Sequence, residues 1–206
     1  MKTSMQLKAK TRNLSATSGI PPHIIQRNYF LERFLERLSL SSYKNSIVIK
    51  GGVLITSILG TAGDVITPSP IEYGYKLMFE DREISVLAYN LETVLAEKFI
   101  AVLSFDVVNS RMKDFYDIHM LVSWHGGSVS QDVFTEALRN TAGQRQMLRY
   151  IEQAGEIIDT IAGNPAMSDL WKRYSATNQY AAEIDYDRVI SALRILTQWV
   201  AASSRR

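Results

Sequence analysis

The sequence lacks several features that define common protein classes. It has no cysteine, which excludes a disulfide framework, a thiol nucleophile and a cysteine-based zinc site. No apolar run approaches the roughly 20 residues that a membrane span requires, so we expect no membrane association. Its three histidines do not share metal-ligand spacing. The formal net charge of +2 neither requires nor excludes a nucleic-acid partner. A cytoplasmic protein is the expectation.

The remaining composition is that of a folded domain. A chain of 206 residues with 46% hydrophobic and 21% charged residues can bury a substantial core. Two helices are predicted within residues 1–45, the second from Pro22 to about Leu40 with Ile25, Tyr29, Phe34, Leu35 and Leu38 inward. Residues 46–125 alternate strands and helices, and Gly126-Gly127-Ser128 indicates a linker. We therefore predict an α+β region over residues 1–125 and a helical domain over residues 126–206.

Local patterns within these regions predict several elements. Strands are expected at residues 75–79 and 84–88, joined as a hairpin by Glu80-Asp81-Arg82-Glu83. In the C-terminal region, helices are expected at about 130–139, 144–161, 167–174 and 186–202. The last of these presents Val189, Leu193, Leu196 and Val200 toward a core.

A lysine lies on the apolar face of a predicted helix that begins after Asn90. Asn90 is a favourable N-cap, and Leu91, Val94, Leu95, Phe99 and Val102 form one stripe. Lys98 projects near the middle of this stripe. Either its stem is buried while the ammonium reaches water, or the ammonium is held in a cleft for a carboxylate or phosphate.

Two aspartates lie on the next predicted helix, which is apolar nearly all round and is therefore expected to be buried. Asp114 and Asp117 have no obvious solvent face. They could form local ion pairs, Asp114 with Arg111 and Asp117 with Lys113, or they could serve a site. On the same helix His119 is expected to be a core histidine rather than a catalyst.

A glycine pair follows a short β-branched strand at residues 47–49. Gly51 and Gly52 would allow a tight turn and a close approach of the backbone to a ligand. A helix over residues 53–59 would then direct its N-terminus at a phosphate. An ordinary strand-to-helix turn has the same pattern.

Together these segments resemble a known family. The segments that carry the resemblance read LAEKF at 95–99, RMKDFYD at 111–117, SIVIKGGVLI at 46–55, GDVITP at 63–68 and YKLMFEDREISVLAYNLETVL at 75–95. They are similar to the nucleotidyltransferase core of the abortive-infection toxins of the AbiEii/AbiGii type. The resemblance covers roughly residues 1–125.

The resemblance implies a fold and a function. The fold would be a reduced nucleotidyltransferase-like core, related to DNA polymerase β, with N-terminal helices and a C-terminal helical domain. The function would be that of a toxin in a bacterial toxin–antitoxin or phage-defence system, transferring a nucleotide from an NTP to RNA, with tRNA as one acceptor. It also implies Mg²⁺ as cofactor and a cognate antitoxin, protein or gene product, as partner.

The same resemblance assigns roles to residues. Gly51 and Gly52 would cradle the phosphates, and Lys98 would bind the nucleotide and stabilise its charge. Asp114 would orient Lys98 or assist proton transfer, and Asp117 would support them. Lys98, Asp114 and Asp117 are thus the candidate catalytic residues.

One departure from the family is large. Its members carry an Asp-x-Asp pair after the glycine motif, whose carboxylates hold Mg²⁺. Here Asp64 is followed by Val65 and Ile66, and the segment from the metal-binding strand to the next matching strand is missing. We interpret Thr61-Ala62 as the junction of an internal deletion. Glu80, Asp81 and Glu83 could supply carboxylates, although a solvated turn explains them as well. The metal ligands are therefore unassigned.

Other interpretations remain open. The chain could be a catalytically inactive relative that binds nucleotide or a partner protein, or a damaged remnant without function. An RNA-facing surface or a scattered solvated face would each account for the basic residues of the C-terminal region, which are Arg139, Arg145, Arg149, Lys172, Arg173, Arg188 and Arg194.

Overall fold

The computed structural model describes residues 3–50, 59–60, 65–106 and 111–203. By packing, the chain divides into two compact units. The N-terminal unit comprises Met1–Asp64 and Pro70–Ala88, and the C-terminal unit comprises Val65–Ser69 and Tyr89–Arg206. The chain therefore passes between the units more than once.

Two helices open the N-terminal unit, as the sequence predicts. Helix α1 spans Ser4–Ser18; the Thr3 side chain caps its N-terminus, and Gly19 ends it with a φ of 71°, a left-handed conformation that glycine adopts without strain. Helix α2 spans Pro22–Ser39 and starts with proline in its first turn, where no backbone N–H is needed.

The strands of this unit form a small mixed sheet in the order β2-β1-β4-β3. The strands are β1 (Val48–Ile49), β2 (Leu59–Gly60), β3 (Ile71–Lys76) and β4 (Glu83–Ala88). Strand β4 pairs antiparallel with β3 and parallel with β1, where Ile49 lies opposite Ala88. Leu35 and Leu38 of α2 pack against Leu77, Ile84 and Val86, so the helix covers one face of the hairpin.

A buried glutamate of α2 accepts a hydrogen bond from the start of the hairpin turn. Glu32 has a fully buried side chain, and its Oε2 accepts a 2.6 Å hydrogen bond from the backbone N–H of Met78. Strand β3 spans Ile71–Lys76 and not residues 75–79 as predicted, and the Leu77 N–H makes a further bond across the hairpin, to the Arg82 carbonyl at 2.9 Å. Glu32 also occupies the inner face of α2 where Phe34 was expected; Phe34 is instead 46% exposed.

The described helices dominate the C-terminal unit. They are α3 (Leu91–Phe105), α4 (Met112–His125), α5 (Gln131–Gln144), α6 (Leu148–Glu152), α7 (Ala154–Gly163), α8 (Pro165–Thr177), a 3₁₀ helix (Gln179–Ala181) and α9 (Tyr186–Ser203). The single helix predicted over 144–161 is wrong: α5 continues to Gln144, and Gln153 separates α6 from α7 with φ −93° and ψ 6°.

The core of this unit lies where α3, α4, α5 and α9 meet. Phe99 of α3 and Phe134 of α5 are completely buried with ring centroids 6.2 Å apart. Val189, Leu193, Leu196 and Val200 of α9 are all buried, as the apolar period predicts. By packing, α3 and α4 belong with the C-terminal helices; the domain division at residue 125 stays a prediction.

A buried cap fixes the start of α3. Asn90 Oδ1 accepts a hydrogen bond from Thr93 N, and Asn90 Nδ2 donates to Thr67 O at 2.6 Å. Thr93 Oγ1 donates to the same carbonyl and accepts from Thr67 N. The helix that carries Lys98 is therefore joined at its first turn to the segment Val65–Ser69.

Two features predicted from the sequence, the glycine pair and the helix after it, lie mostly outside the described residues. Gly51 and Gly52 lie outside them, as does most of the helix predicted over residues 53–59. Leu59, its expected last residue, lies in β2, because it pairs with Ile49. The four-stranded sheet combined with these helices makes the chain α+β. Within the described ranges, no helix has the length and apolarity needed to cross a bilayer.

Replacing the buried cap should destabilise the unit that carries the candidate site. We expect Asn90→Ala to lower the free energy of unfolding by about 1–2 kcal/mol, because the N-terminal N–H of α3 and the Thr67 carbonyl both lose a partner. Urea denaturation followed by circular dichroism measures the loss. Thr3→Ala removes an exposed cap and should have a smaller effect; equal losses would contradict the assigned role.

Candidate functional site

The structure brings together the three charged residues that the sequence singled out. Lys98 Nζ donates hydrogen bonds to Asp114 Oδ1 at 3.1 Å and to Asp117 Oδ2 at 2.6 Å. Both aspartates are buried on α4, and 17% of the Lys98 side chain is exposed. The lysine of α3 thus joins two carboxylates of the neighbouring helix. The expected burial of Asp114 and Asp117 is confirmed, and Lys98 is partly buried.

The local ion pairs considered for the aspartates also form. Lys113 Nζ donates to both oxygens of Asp117, at 3.0 and 2.8 Å, and Arg111 Nε lies 3.2 Å from Asp114 Oδ2. These two partners are more exposed, with 58% and 63% of their side chains accessible. The site is therefore a five-residue cluster with three positive and two negative side chains.

The balance of burial and charge keeps Lys98 protonated. Burial alone would lower the pKa of its ammonium, but the charges and hydrogen bonds of Asp117 and Asp114 outweigh burial, and the pKa is raised. An ammonium has three N–H donors. Among the described residues, two of these donors have acceptors, Asp114 and Asp117. The third has no acceptor in the same part of the chain, and 17% of the side chain is exposed.

His119 lies on α4 one turn beyond Phe115 and is about half-buried. Burial is the main cause that lowers its pKa, with a smaller opposing contribution from the Arg188 backbone. Within the described part of the chain, its Nδ1 is buried without a hydrogen-bond partner. The residue is thus a partly buried neutral histidine, in keeping with the interpretation of a packing role.

The acidic residues of the β3–β4 turn have other partners. Glu80 forms ion pairs with Arg33 and Arg82 at 2.9 and 2.6 Å, and its pKa is lowered chiefly by the Arg82 hydrogen bond. Asp81 lies 3.5 Å from Lys76, and Glu83 belongs to β4. In the ranges that the structure describes, no group of three or more histidine, aspartate or glutamate side chains could hold a metal ion.

Several of the C-terminal basic residues lie in ion pairs. Arg145 bonds Glu97 at 3.1 Å, Arg194 bonds Asp159 at 3.0 Å, and Lys172 lies 3.5 Å from Asp169. Arg149 stacks on the ring of Tyr150, 4.8 Å from its centroid. Interspersed acids therefore neutralise part of this set, and an RNA-facing surface formed by all seven stays a prediction.

Comparison with known proteins places this site in a class. Residues 60–192 match the family model described as the nucleotidyl transferase AbiEii toxin of type IV toxin–antitoxin systems. This range contains Lys98, Asp114 and Asp117 and covers more than half of the chain. The cluster is thus part of a toxin of the nucleotidyltransferase type. The chain belongs to the AbiEii toxin family, which confirms the resemblance and implies an antitoxin partner.

The match begins close to the predicted junction at Thr61-Ala62 and extends into α9. The C-terminal helices are therefore part of the family domain. Neither the curated proteins nor the solved structures gave a match to this chain. The nucleotidyltransferase-like fold accordingly rests on family membership.

Replacing Lys98 should lower the stability of the fold. We expect Lys98→Met to lower the free energy of unfolding by about 2–4 kcal/mol, because two buried carboxylates lose their shared partner while Lys113 and Arg111 remain. Urea denaturation at pH 7 measures the change. Lys113→Met removes an exposed ammonium and should cost less than about 1 kcal/mol. Similar losses in both variants would contradict the central position of Lys98.

His119 should give the fold a pH dependence. Because its pKa is lower in the folded than in the unfolded state, folded protein resists protonation, and stability should fall as pH falls below about 6.5. The same stability should be regained above that pH. His119→Gln should reduce the difference in unfolding midpoint between pH 5 and pH 7. His23→Gln changes an exposed histidine and serves as control; an unchanged difference in His119→Gln would refute the assignment.

Proposed function

We propose that the protein transfers a nucleotide from an NTP to RNA, with tRNA as one acceptor, and that the Lys98 cluster takes part in the transfer. The observation that carries the proposal is the partly buried, protonated Lys98, held by two aspartates and with a third N–H donor that has no acceptor among the described residues. Phosphoryl chemistry depends mainly on positioning and on stabilising negative charge. A fixed ammonium supplies both.

The two aspartates have different tasks in this proposal. Asp117 is bonded by both Lys98 and Lys113, so it holds the lysine in place. Asp114 uses Oδ1 for Lys98, while its Oδ2 receives no hydrogen bond among the described residues and lies near the exposed Arg111. Displacement of Arg111 by substrate would let Oδ2 accept a proton from the attacking hydroxyl.

Other parts of the proposal rest on the family. Gly51 and Gly52 would approach the phosphates through their backbone. Mg²⁺ would be required, yet Asp114 and Asp117 bond ammonium groups, and the described residues do not provide a metal-binding set.

A catalytically inactive relative is the second candidate. The missing Asp-x-Asp pair favours it, because the same cluster would still bind a nucleotide phosphate without completing a transfer. Such a protein would bind NTP equally in Mg²⁺ and in EDTA, and it would not label RNA.

The test is transfer of label from each α-³²P NTP to total tRNA, with Mg²⁺ and with EDTA. We expect Mg²⁺-dependent labelling that falls at least about 100-fold in Lys98→Gln and in Asp114→Asn. Glutamine keeps N–H donors but removes the charge, and asparagine keeps the shape. Lys76→Gln, at an exposed ion pair with Asp81, should retain wild-type labelling.

The outcomes separate the two candidates. Absence of labelling by folded wild-type protein, together with NTP binding by equilibrium dialysis, would support the inactive relative. Full labelling by folded Lys98→Gln would refute the role of the cluster.

A further inference from the structure

Three tyrosines from different elements meet beside the Lys98 cluster. Tyr116 of α4 and Tyr180 of the 3₁₀ helix have ring centroids 4.8 Å apart, and Tyr174 of α8 lies 6.3 Å from Tyr180. The hydroxyls of Tyr174 and Tyr180 are hydrogen-bonded at 2.9 Å. The ring of Trp171 packs against that of Tyr174, with ring centroids 5.5 Å apart. We call these three tyrosines the tyrosine cluster.

The tyrosine cluster packs against the core through Trp171 and is exposed to solvent at Tyr180. Trp171 is buried, and its Nε1 donates to the Ile184 carbonyl at 2.8 Å. Tyr116 and Tyr174 are partly buried, whereas Tyr180 is 51% exposed. A rigid aromatic surface with one exposed ring is thus presented to solvent. Half-exposed aromatic rings held by packing are the groups that bind planar ligands by stacking.

The tyrosine cluster lies close to the Lys98 cluster, because Tyr116 is on the same helix as Lys113 and Asp117. Tyr116 directly precedes Asp117 and lies one turn after Lys113 on the same helix. Burial is the main cause that raises the pKa of both Tyr116 and Tyr174, and the charge of Asp117 adds to it in each case. The tyrosines therefore lie within electrostatic range of the carboxylate that Lys98 bonds.

We infer that the tyrosine cluster is a nucleobase-stacking subsite, with Tyr180 as the exposed platform. It lies next to Lys98 and Lys113, whose ammonium groups would bind the phosphates of the same nucleotide. The inference rests on the proposed function and extends it, because it states where the base of a nucleotide lies. The base belongs either to the NTP or to the acceptor RNA, and the experiment distinguishes these sources.

The charge of the neighbouring cluster argues against a quaternary ammonium ligand, which is the other ligand that clustered tyrosines commonly bind. Aromatic cages bind quaternary ammonium groups. Here the neighbouring cluster has three cationic and two anionic side chains, Lys98, Lys113 and Arg111 against Asp114 and Asp117. Among these five side chains the positive charges outnumber the negative by one, which favours a phosphate over a cation. Stacking surface and positive charge together fit a nucleotide.

Binding is measured with a fluorescein-labelled single-stranded adenosine oligomer of about twelve nucleotides, by fluorescence anisotropy. We expect Tyr180→Ala to weaken binding about 5- to 100-fold and Tyr180→Phe to change it less than about threefold, because the ring supplies the stacking. Tyr43→Ala, at an exposed tyrosine outside the cluster, is the control. An abasic oligomer of the same length should bind wild type and Tyr180→Ala alike.

Parallel measurements identify the source of the base. Equilibrium dialysis of α-³²P ATP against the same variants reports the NTP; weakened ATP binding with unchanged oligomer binding assigns the base to the NTP, and the reverse assigns it to RNA. Tyr116→Leu keeps apolar packing and tests the cluster independently, should Tyr180→Ala reduce the thermal unfolding midpoint.

Specific results would overturn the inference. They are unchanged binding of both ligands by folded Tyr180→Ala and Tyr116→Leu, equal losses in Tyr180→Ala and Tyr180→Phe, or no binding of either ligand by wild type. Failure of the proposed function gives a different pattern. Tyr180-dependent binding without label transfer would refute the transferase while the subsite stands, and transfer unaffected by Tyr180→Ala would refute the subsite alone.

Discussion

One ammonium group between two carboxylates joins α3 to α4, and the arrangement of the candidate site depends on this interaction. Lys98 is placed on the buried face of α3, where an unpaired charge would be very unfavourable, and Asp114 and Asp117 are spaced so that both face it from α4. Each group makes the burial of the others tolerable. The contact between α3 and α4 is therefore specified by charge as well as by apolar packing.

Structural and functional explanations of these residues are compatible here. The ion pairs with Arg111 and Lys113 would by themselves justify two aspartates on a helix, and burial of the stem would justify the lysine. The observed geometry contains all of these contacts and still leaves one lysine donor without an acceptor among the described residues. A site that stabilises its helices through the same charges that face a ligand is preorganised, because those charges are already oriented when the ligand binds.

The sequence predicted what is encoded locally. The capping residue Asn90 and the apolar period gave α3 its start and its buried face, and the lack of a polar face on α4 predicted buried Asp114 and Asp117. It could not predict features made by residues distant in sequence. Glu32 accepts a hydrogen bond from the N–H of Met78, 46 positions further along the chain, and no local pattern marks that pairing. Tyr174 and Tyr180 reach Tyr116 only because α8 packs beside α4.

The bond from Asn90 to the Thr67 carbonyl has a consequence for cutting the chain. Residues 65–69 belong to the C-terminal unit although the residues on both sides belong to the other. A fragment starting at Tyr89 would lack the carbonyl to which Asn90 and Thr93 donate, and one ending at Ala88 would carry that short segment without the helix it serves. A single proteolytic nick therefore cannot release the C-terminal unit both complete and free of the other. A fragment ending at Ala88 holds the whole N-terminal unit together with a segment of the C-terminal one, whereas any fragment that includes Val65–Ser69 and Tyr89–Arg206 also carries Pro70–Ala88.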